Sequence, residues 1–240
     1  MKKLFWMLII ALLSATTIQA QTVEEILNNY FENIGGKDKW ANIKSMKIEG
    51  TMSMQGMDLP LTVYSKAPNK EYVEMSVMDK TIIEAFDGES SWRVNPFMGG
   101  TEPQKGTPEE TEKASKEQFQ NEFINYKDKG HTITLEGKEE IEGTLCFKLK
   151  MVKVTGEEEI HFFDEETYVP IMIRTTITQE GFMKGKIAET YFSDYDEVGD
   201  GLIMAMYTES KMDGQTLQKM TIEKVEINPE IDDSQFTMPE

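Results

Sequence analysis

The sequence predicts a mainly β protein: one large, strongly curved antiparallel sheet with two helical segments. Three observations carry this. Most of the 240-residue chain alternates apolar and polar side chains with a period of two. The breaks between alternating runs are short, so successive strands should be antiparallel neighbours. Only two stretches have helical spacing, and neither stands between every pair of strands, which excludes parallel βαβ units.

The first twenty residues stand apart. Lys2 and Lys3 give a basic start, Leu4 to Leu13 an apolar run, and a small-residue exit ends at Ala20. This is the layout of a secretory signal peptide over residues 1–20, with an apolar run too short to cross a bilayer comfortably. No cysteine follows the cleavage site, so neither a lipid anchor nor a stable membrane anchor is expected. The remaining residues, 21–240, have no internal repeat and no Ser/Gly linker, which predicts a single domain.

That domain opens with a helix. Thr22 and Glu25 form a capping box, Val23, Ile26, Leu27, Tyr30 and Ile34 share one face, and Gly35 and Gly36 stop the helix. Alternation follows in "SMKIEGTMSM", "DLPLTVYS", "EYVEMSVM", "KTIIEAFD" and "SWRV", about five strands. The Pro- and Gly-containing stretch from Asn95 to Gly106 then reads as a loop, unusual for carrying Phe97 and Met98. Thr107 as N-cap and Pro108 at the first position begin a second helix through "TPEETEKASKEQFQNEFINY", apolar only at its far end. About seven longer strands run from His131 to "QTLQKMTIEKVEI". A sheet this wide must curl, close or split. Two helices can cover its inner face only in part, and the gap left beneath them is where function is to be sought.

Charge and composition remove several function classes. The formal net charge is −18, and loss of Lys2 and Lys3 takes it to about −20. Such a surface repels nucleic acid and anionic headgroups, and keeps an exported protein monomeric. The single cysteine, Cys146, cannot make an internal disulfide and reads as a buried small hydrophobe. His131 and His161, thirty residues apart and without a cysteine pair, make a weak metal set, so no metal is expected. No nucleophile elbow, phosphate loop or metalloprotease motif is present, and acid pairs such as Asp194 and Asp196 read as turn formers among 43 acids. The informative excess is methionine, 17 in all, including Met46, Met52, Met54, Met75 and Met220. Methionine adapts its shape and is over-used on apolar binding surfaces.

These pieces add up to a family resemblance. "YFENIGGKDKW", "KAPNK", "AFDGESSWRVNPFMGG", "YFSDYDEVGDGLIMAM" and "INPEIDDSQFTMPE", in this order and spacing, resemble the outer-membrane lipoprotein-sorting proteins of the LolA/LolB-like superfamily over essentially the whole mature chain. The resemblance implies an unclosed, strongly curved antiparallel β-barrel of about eleven strands, covered by helices on its concave side. It implies a periplasmic carrier or chaperone without enzymatic activity or cofactor, receiving acyl chains of lipoproteins or lipids in an apolar cavity. An inner-membrane donor and an outer-membrane acceptor would be its partners. Phe86, Trp92, Phe97, Met98, Met204 and Met206 are the expected cavity residues, with Phe97 and Met98 at the mouth and Gly99 and Gly100 as hinge. Only Arg93 and Arg174 are present, neither on the first two strands, so no lid-locking arginine is carried over. Two other readings remain beside this one: a hydrolase of glycans or esters using acids in the same cleft, and an envelope interaction module with a packed interior.

Overall fold

The computed structural model describes residues 21–239 apart from Gly99, Gln179, Glu180 and Phe182; the expected signal peptide lies outside the described residues. The chain begins with helices α1 (Val23–Asn33) and α2 (Lys37–Ala41). Strands β1 (Ser45–Met54), β2 (Met57–Lys66), β3 (Lys70–Val77), β4 (Lys80–Phe86), β5 (Ser91–Asn95) and β6 (Gly100–Lys105) follow. Helix α3 (Pro108–Lys116) separates them from β7 (Thr132–Ile141), β8 (Thr144–Val152), β9 (Glu158–Asp164), β10 (Pro170–Thr176), β11 (Ile187–Gly199), β12 (Leu202–Met212) and β13 (Gln215–Ile227).

All thirteen strands form one sheet in the order β6-β5-β4-β3-β2-β1-β13-β12-β11-β10-β9-β8-β7. Every neighbouring pair is antiparallel, and each joins consecutive strands except β1–β13. The sheet does not close, since β6 and β7 remain its edges. Pro60 is tolerated in β2 because β3 pairs only from Leu61 onward, so no ladder bond is asked of its missing N–H.

Two expectations change. The stretch from Asn95 to Gly106 is a hairpin, not a loop: β6 returns along β5, pairing Gln104 with Arg93 and Lys105 with Trp92. The Pro–Gly signal marks the hairpin tip alone, and the strand count rises to thirteen. The second helix is also shorter than its pattern. It ends at Lys116 because Glu117 turns extended and the Phe119 N–H donates to Pro68. The apolar pair beyond it, Phe123 and Ile124, is buried through turns, with the Asn121 side chain accepting the Phe123 N–H and Asn125 at φ 53°.

Side chains of directly paired residues share a face of the sheet. One face, called inner here, receives α1. Ile26, Leu27, Tyr30, Phe31 and Ile34 pack with Phe123 and Ile124 on Phe147, Leu149, Met151 and Phe163 of β8 and β9. On the outer face of β7–β11, Ile141, Cys146, Phe162 and Met172 form a buried cluster beneath charged side chains: Arg174, 4.9 Å over the Phe162 ring, bridges Glu139 and Glu189, and Lys211 pairs with Glu142 and Glu209. At β2–β5 the outer face is apolar too, carrying Tyr64, Tyr72, Ile83, Ala85, Trp92 and Val94. The C-terminal segment after β13 covers it. Phe236 is fully buried there, Ile231 and Met238 flank it, and the Trp92 indole N–H donates to the Phe236 carbonyl at 2.7 Å. Lys66 and Lys70 clamp Asp233 in the same segment at 2.7 and 2.9 Å.

Phe236→Ala should therefore cost about 3–5 kcal/mol of unfolding free energy in a urea titration, the range for a fully buried aromatic. A loss below ~1 kcal/mol would mean the tail does not hold this face.

Candidate functional site

The β12–β13 pairing runs only from Tyr207–Thr221 to Met212–Gln215. Beyond Tyr207, β12 continues against β11 alone, and β13 from Ile222 onward pairs with β1 alone. The end of α1 sits in this split. The Ile203 N–H donates to the Ile34 carbonyl at 3.1 Å, and Gly35 lies so near Gly201 that a Cβ would stand 2.1 Å from its carbonyl oxygen. With φ at 101°, position 35 requires glycine on both counts. The split fixes where α1 crosses, over β7–β9, and leaves the inner face of β13, β1, β2 and β3 without a helix packed along it.

That face is a continuous apolar floor. Read across the pairings, Ile227 neighbours Met46, Val225 neighbours Ile48 and then Val63 and Val73, and Ile222 neighbours Gly50 and then Leu61, Met75 and Ile82. Met220, Met52 and Leu59 form the next row. Leu59, Leu61 and Ile222 are buried, but Met46, Ile48, Met52, Val63, Val73, Met75, Met220 and Val225 are only half-buried. The floor bends at Gly50, where a side chain would meet the Thr221 carbonyl at 2.3 Å. It ends under α3, where the Ser91 and Thr111 hydroxyls lie 2.8 Å apart and Arg93 pairs with Glu110 at 2.7 Å.

The cavities beside the floor have mixed polar and apolar linings. One of about 370 Å³ lies between α2 and the β2–β3 turn, lined by Ile43, Ala67, Pro68, Glu117 and Phe119. Another of about 810 Å³ runs between α3 and the β8–β9 turn, lined by Tyr30, Glu122, Phe123, Lys129, His131 and Lys153.

The residues expected from the sequence are dispersed. Phe86 is buried on the inner face, opposite Glu71. Trp92 points to the other face, under the C-terminal segment, because it pairs with Ala85 one residue out of step with Phe86. Phe97 and Met98 are 49 % and 83 % exposed at the β5–β6 tip, the end of β5 away from α3, where Lys80 stands 4.9 Å over the Phe97 ring. Met78, 75 % exposed, belongs to the neighbouring β3–β4 turn. Met204 and Met206 are half-buried in the part of β12 that has left β13. The floor residues Leu61, Val63, Val73, Ile82, Ile222 and Val225 are not conspicuous one by one in the sequence; like Ile48, they are marked by the period-two alternation itself.

The titratable groups sort into structural roles. Cys146 is fully buried, and burial pushes its thiol up to about 11, so it is inert as a nucleophile. His161 is also fully buried, with Nε2 3.2 Å from Glu159 and 3.6 Å from Glu122. Lys153 lies 2.7 Å from Glu159 and 3.4 Å from Glu122. Although Glu122, Glu159 and His161 are close enough to hold a cation, Lys153 already supplies one. A metal on Nε2 would also move the ring proton to Nδ1, which is buried without a partner. The arrangement fits an imidazole donating from Nε2 to Glu159 and tying the segment around Glu122 to β9. Burial works to raise the Glu159 pKa, but hydrogen bonds from His161 and Lys153 outweigh it and hold the carboxyl at about 2.

No protein-family model matches the sequence, and no curated protein matches it. Solved structures do. A DUF1329 family protein from Desulfovibrio piger aligns over 88 % of this chain and 97 % of its own, at 13 % identity and a TM-score of 0.57. A LolA superfamily protein from Nitrosomonas europaea aligns over 91 % and 98 %, at 12 % identity and 0.57. An outer membrane lipoprotein-sorting protein domain from Vibrio parahaemolyticus aligns over 88 % and 94 %, at 12 % identity and 0.56. The fold is LolA-like. Among the described residues, no helix is long and apolar enough to cross a membrane.

Two outcomes follow from this geometry. Replacing Phe97 and Met98 together by Ser should change stability by no more than ~1 kcal/mol in chemical denaturation, because both are exposed; a larger loss would place them in the core. Glu159→Gln should cost roughly 1–3 kcal/mol at neutral pH. A depressed carboxyl pKa stabilises above the ordinary value and loses that contribution in acid, so the gap from wild type should close between pH 4.5 and about 2. A gap that stays constant over that window would exclude the ion-paired role.

Proposed function

We propose that this protein is a periplasmic, non-enzymatic carrier that shields acyl chains of lipids or lipoproteins on its inner face. The observation that carries the reading is the half-buried floor of Met46, Ile48, Met52, Val63, Val73, Met75, Met220 and Val225. A contiguous apolar surface of this kind, left without a helix along it, marks a ligand site. Each buried CH₂ contributes about 0.8 kcal/mol, so a few acyl chains bind without specific polar contacts. Methionines distributed along the floor let one surface fit chains of different length and saturation. The LolA-like fold, shared with a domain described as sorting outer membrane lipoproteins, supports the same reading. Export by the N-terminal segment would bring the protein to a donor at the inner membrane and an acceptor at the outer one. Phe86, in the row nearest α3, and Met204 and Met206, beside the split, join the floor in this proposal.

Titration with a fluorescent fatty-acyl probe tests it. Wild type should bind saturably, and Met52→Ser with Met75→Ser should weaken binding several-fold, since two large apolar contacts leave the floor. Absence of saturable binding, or a double variant that binds as wild type does, would refute the carrier reading.

A further inference from the structure

The floor is apolar along β13, β1, β2 and most of β3, but it ends in acid. Glu71 of β3 lies directly opposite Phe86, and Glu84 of β4 directly opposite Val73, so the two carboxylates are diagonal neighbours on the inner face. Glu117 joins them from the extended segment after α3, which the Phe119–Pro68 hydrogen bond holds against the β2–β3 turn. All three are exposed to solvent. None has an ion-pair or side-chain hydrogen-bond partner among the described residues, in a sheet where most acids are paired. Arg93, directly opposite Glu84, is committed to Glu110 at 2.7 Å, Lys70 on the outer face to Asp233 at 2.9 Å, and Lys116 of α3 to Glu112 at 2.8 Å. Lys44 and Lys113, which line the cavities beside Glu117, come within 4 Å of none of the three carboxylates.

Resting on the carrier reading, we propose that the amphiphile bound on this floor carries a cationic amine in its head group, received by Glu71, Glu84 and Glu117 at the β3–β4 end. Charge complementarity decides between occupants. A phosphate or carboxylate head at this end would face three unpaired negative charges in a protein of net charge −18. An ammonium placed there gains from all three, while its chain lies along Val73, Val63 and Ile48. Although Glu71 reaches solvent, the protein packed around it partly desolvates its carboxylate, and this, then the charges of Glu117 and Glu84, raises its pKa, as expected of a carboxylate lacking its counter-charge.

The test uses two fluorescent single-chain amphiphiles of equal length, one with an ammonium head and one with a carboxylate head, both below their micelle concentrations. Wild type should prefer the ammonium probe by at least about fivefold at low salt, and the preference should shrink as salt rises. Glu71→Gln with Glu84→Gln should bring it below about twofold by strengthening carboxylate binding and weakening ammonium binding. Glu117→Gln, outside the sheet, should reduce it in the same direction and serves where the double variant folds poorly. Glu49→Gln with Glu226→Gln removes equal charge from the outer face and should leave the preference intact. Equal binding of both probes by wild type, or a preference that follows total charge through the outer-face variant, overturns the amine assignment while the carrier reading stands. If neither probe binds, both fall together.

Discussion

The pairing of β1 with β13 is the constraint on which the rest of the molecule depends. Every other neighbouring pair in the sheet is a hairpin of consecutive strands, formed locally. Only Met46–Ile227 through Met54–Gln218 brings the two ends of the chain together, and it makes one sheet from what would otherwise be two open meanders. A contact of such sequence separation carries a large loop-closure cost and must be repaid by what lies on it. The inner side of this seam is Met46, Ile48, Met52, Met220, Ile222 and Val225. The residues that close the fold are therefore the same residues that form the floor, so structure and proposed function draw on one set of side chains.

Cover is distributed by necessity. Helix α1 cannot reach both halves of a thirteen-strand sheet. Its position is set by the split between β12 and β13, where Ile34 takes the Ile203 N–H and Gly35 fits against Gly201. It buries β7–β9, and α3 packs against β4 and β5. The C-terminal segment covers the opposite face at β2–β5, with Phe236 under Trp92. Three covers on two faces leave the seam as an apolar stretch of the inner face without a helix along it.

Much of this was legible in residues whose roles are local. The Thr22–Glu25 capping box and the spacing of Ile26, Leu27 and Tyr30 give α1 to within a residue. The alternation in "SMKIEGTMSM" gives β1 and its inner face together. What was not legible depends on long-range choices. "WRVN" does not say which face Trp92 takes, since that follows from its register with Ala85 and from a C-terminal segment 144 residues away. Pro and Gly mark a break near Phe97, but the same letters serve a loop and a hairpin tip, and Gly100–Lys105 has too few apolar residues to announce a strand. The far end of the second helix reads as helical because Phe119 and Phe123 are four apart. The Phe119–Pro68 hydrogen bond, which ends that helix, has no local signature. The site suffers likewise: single aromatic and methionine residues were conspicuous, whereas the floor is a property of rows across four strands.

The central claim is that the seam of this sheet carries lipid. Native mass spectrometry of the protein, purified from its own cells without detergent, tests it most directly. The account predicts a population carrying non-covalent adducts of lipid mass, displaced by an added acyl amphiphile and reduced by polar substitution of Met52 and Met75. A single unliganded mass, unchanged when the amphiphile is added, would contradict it.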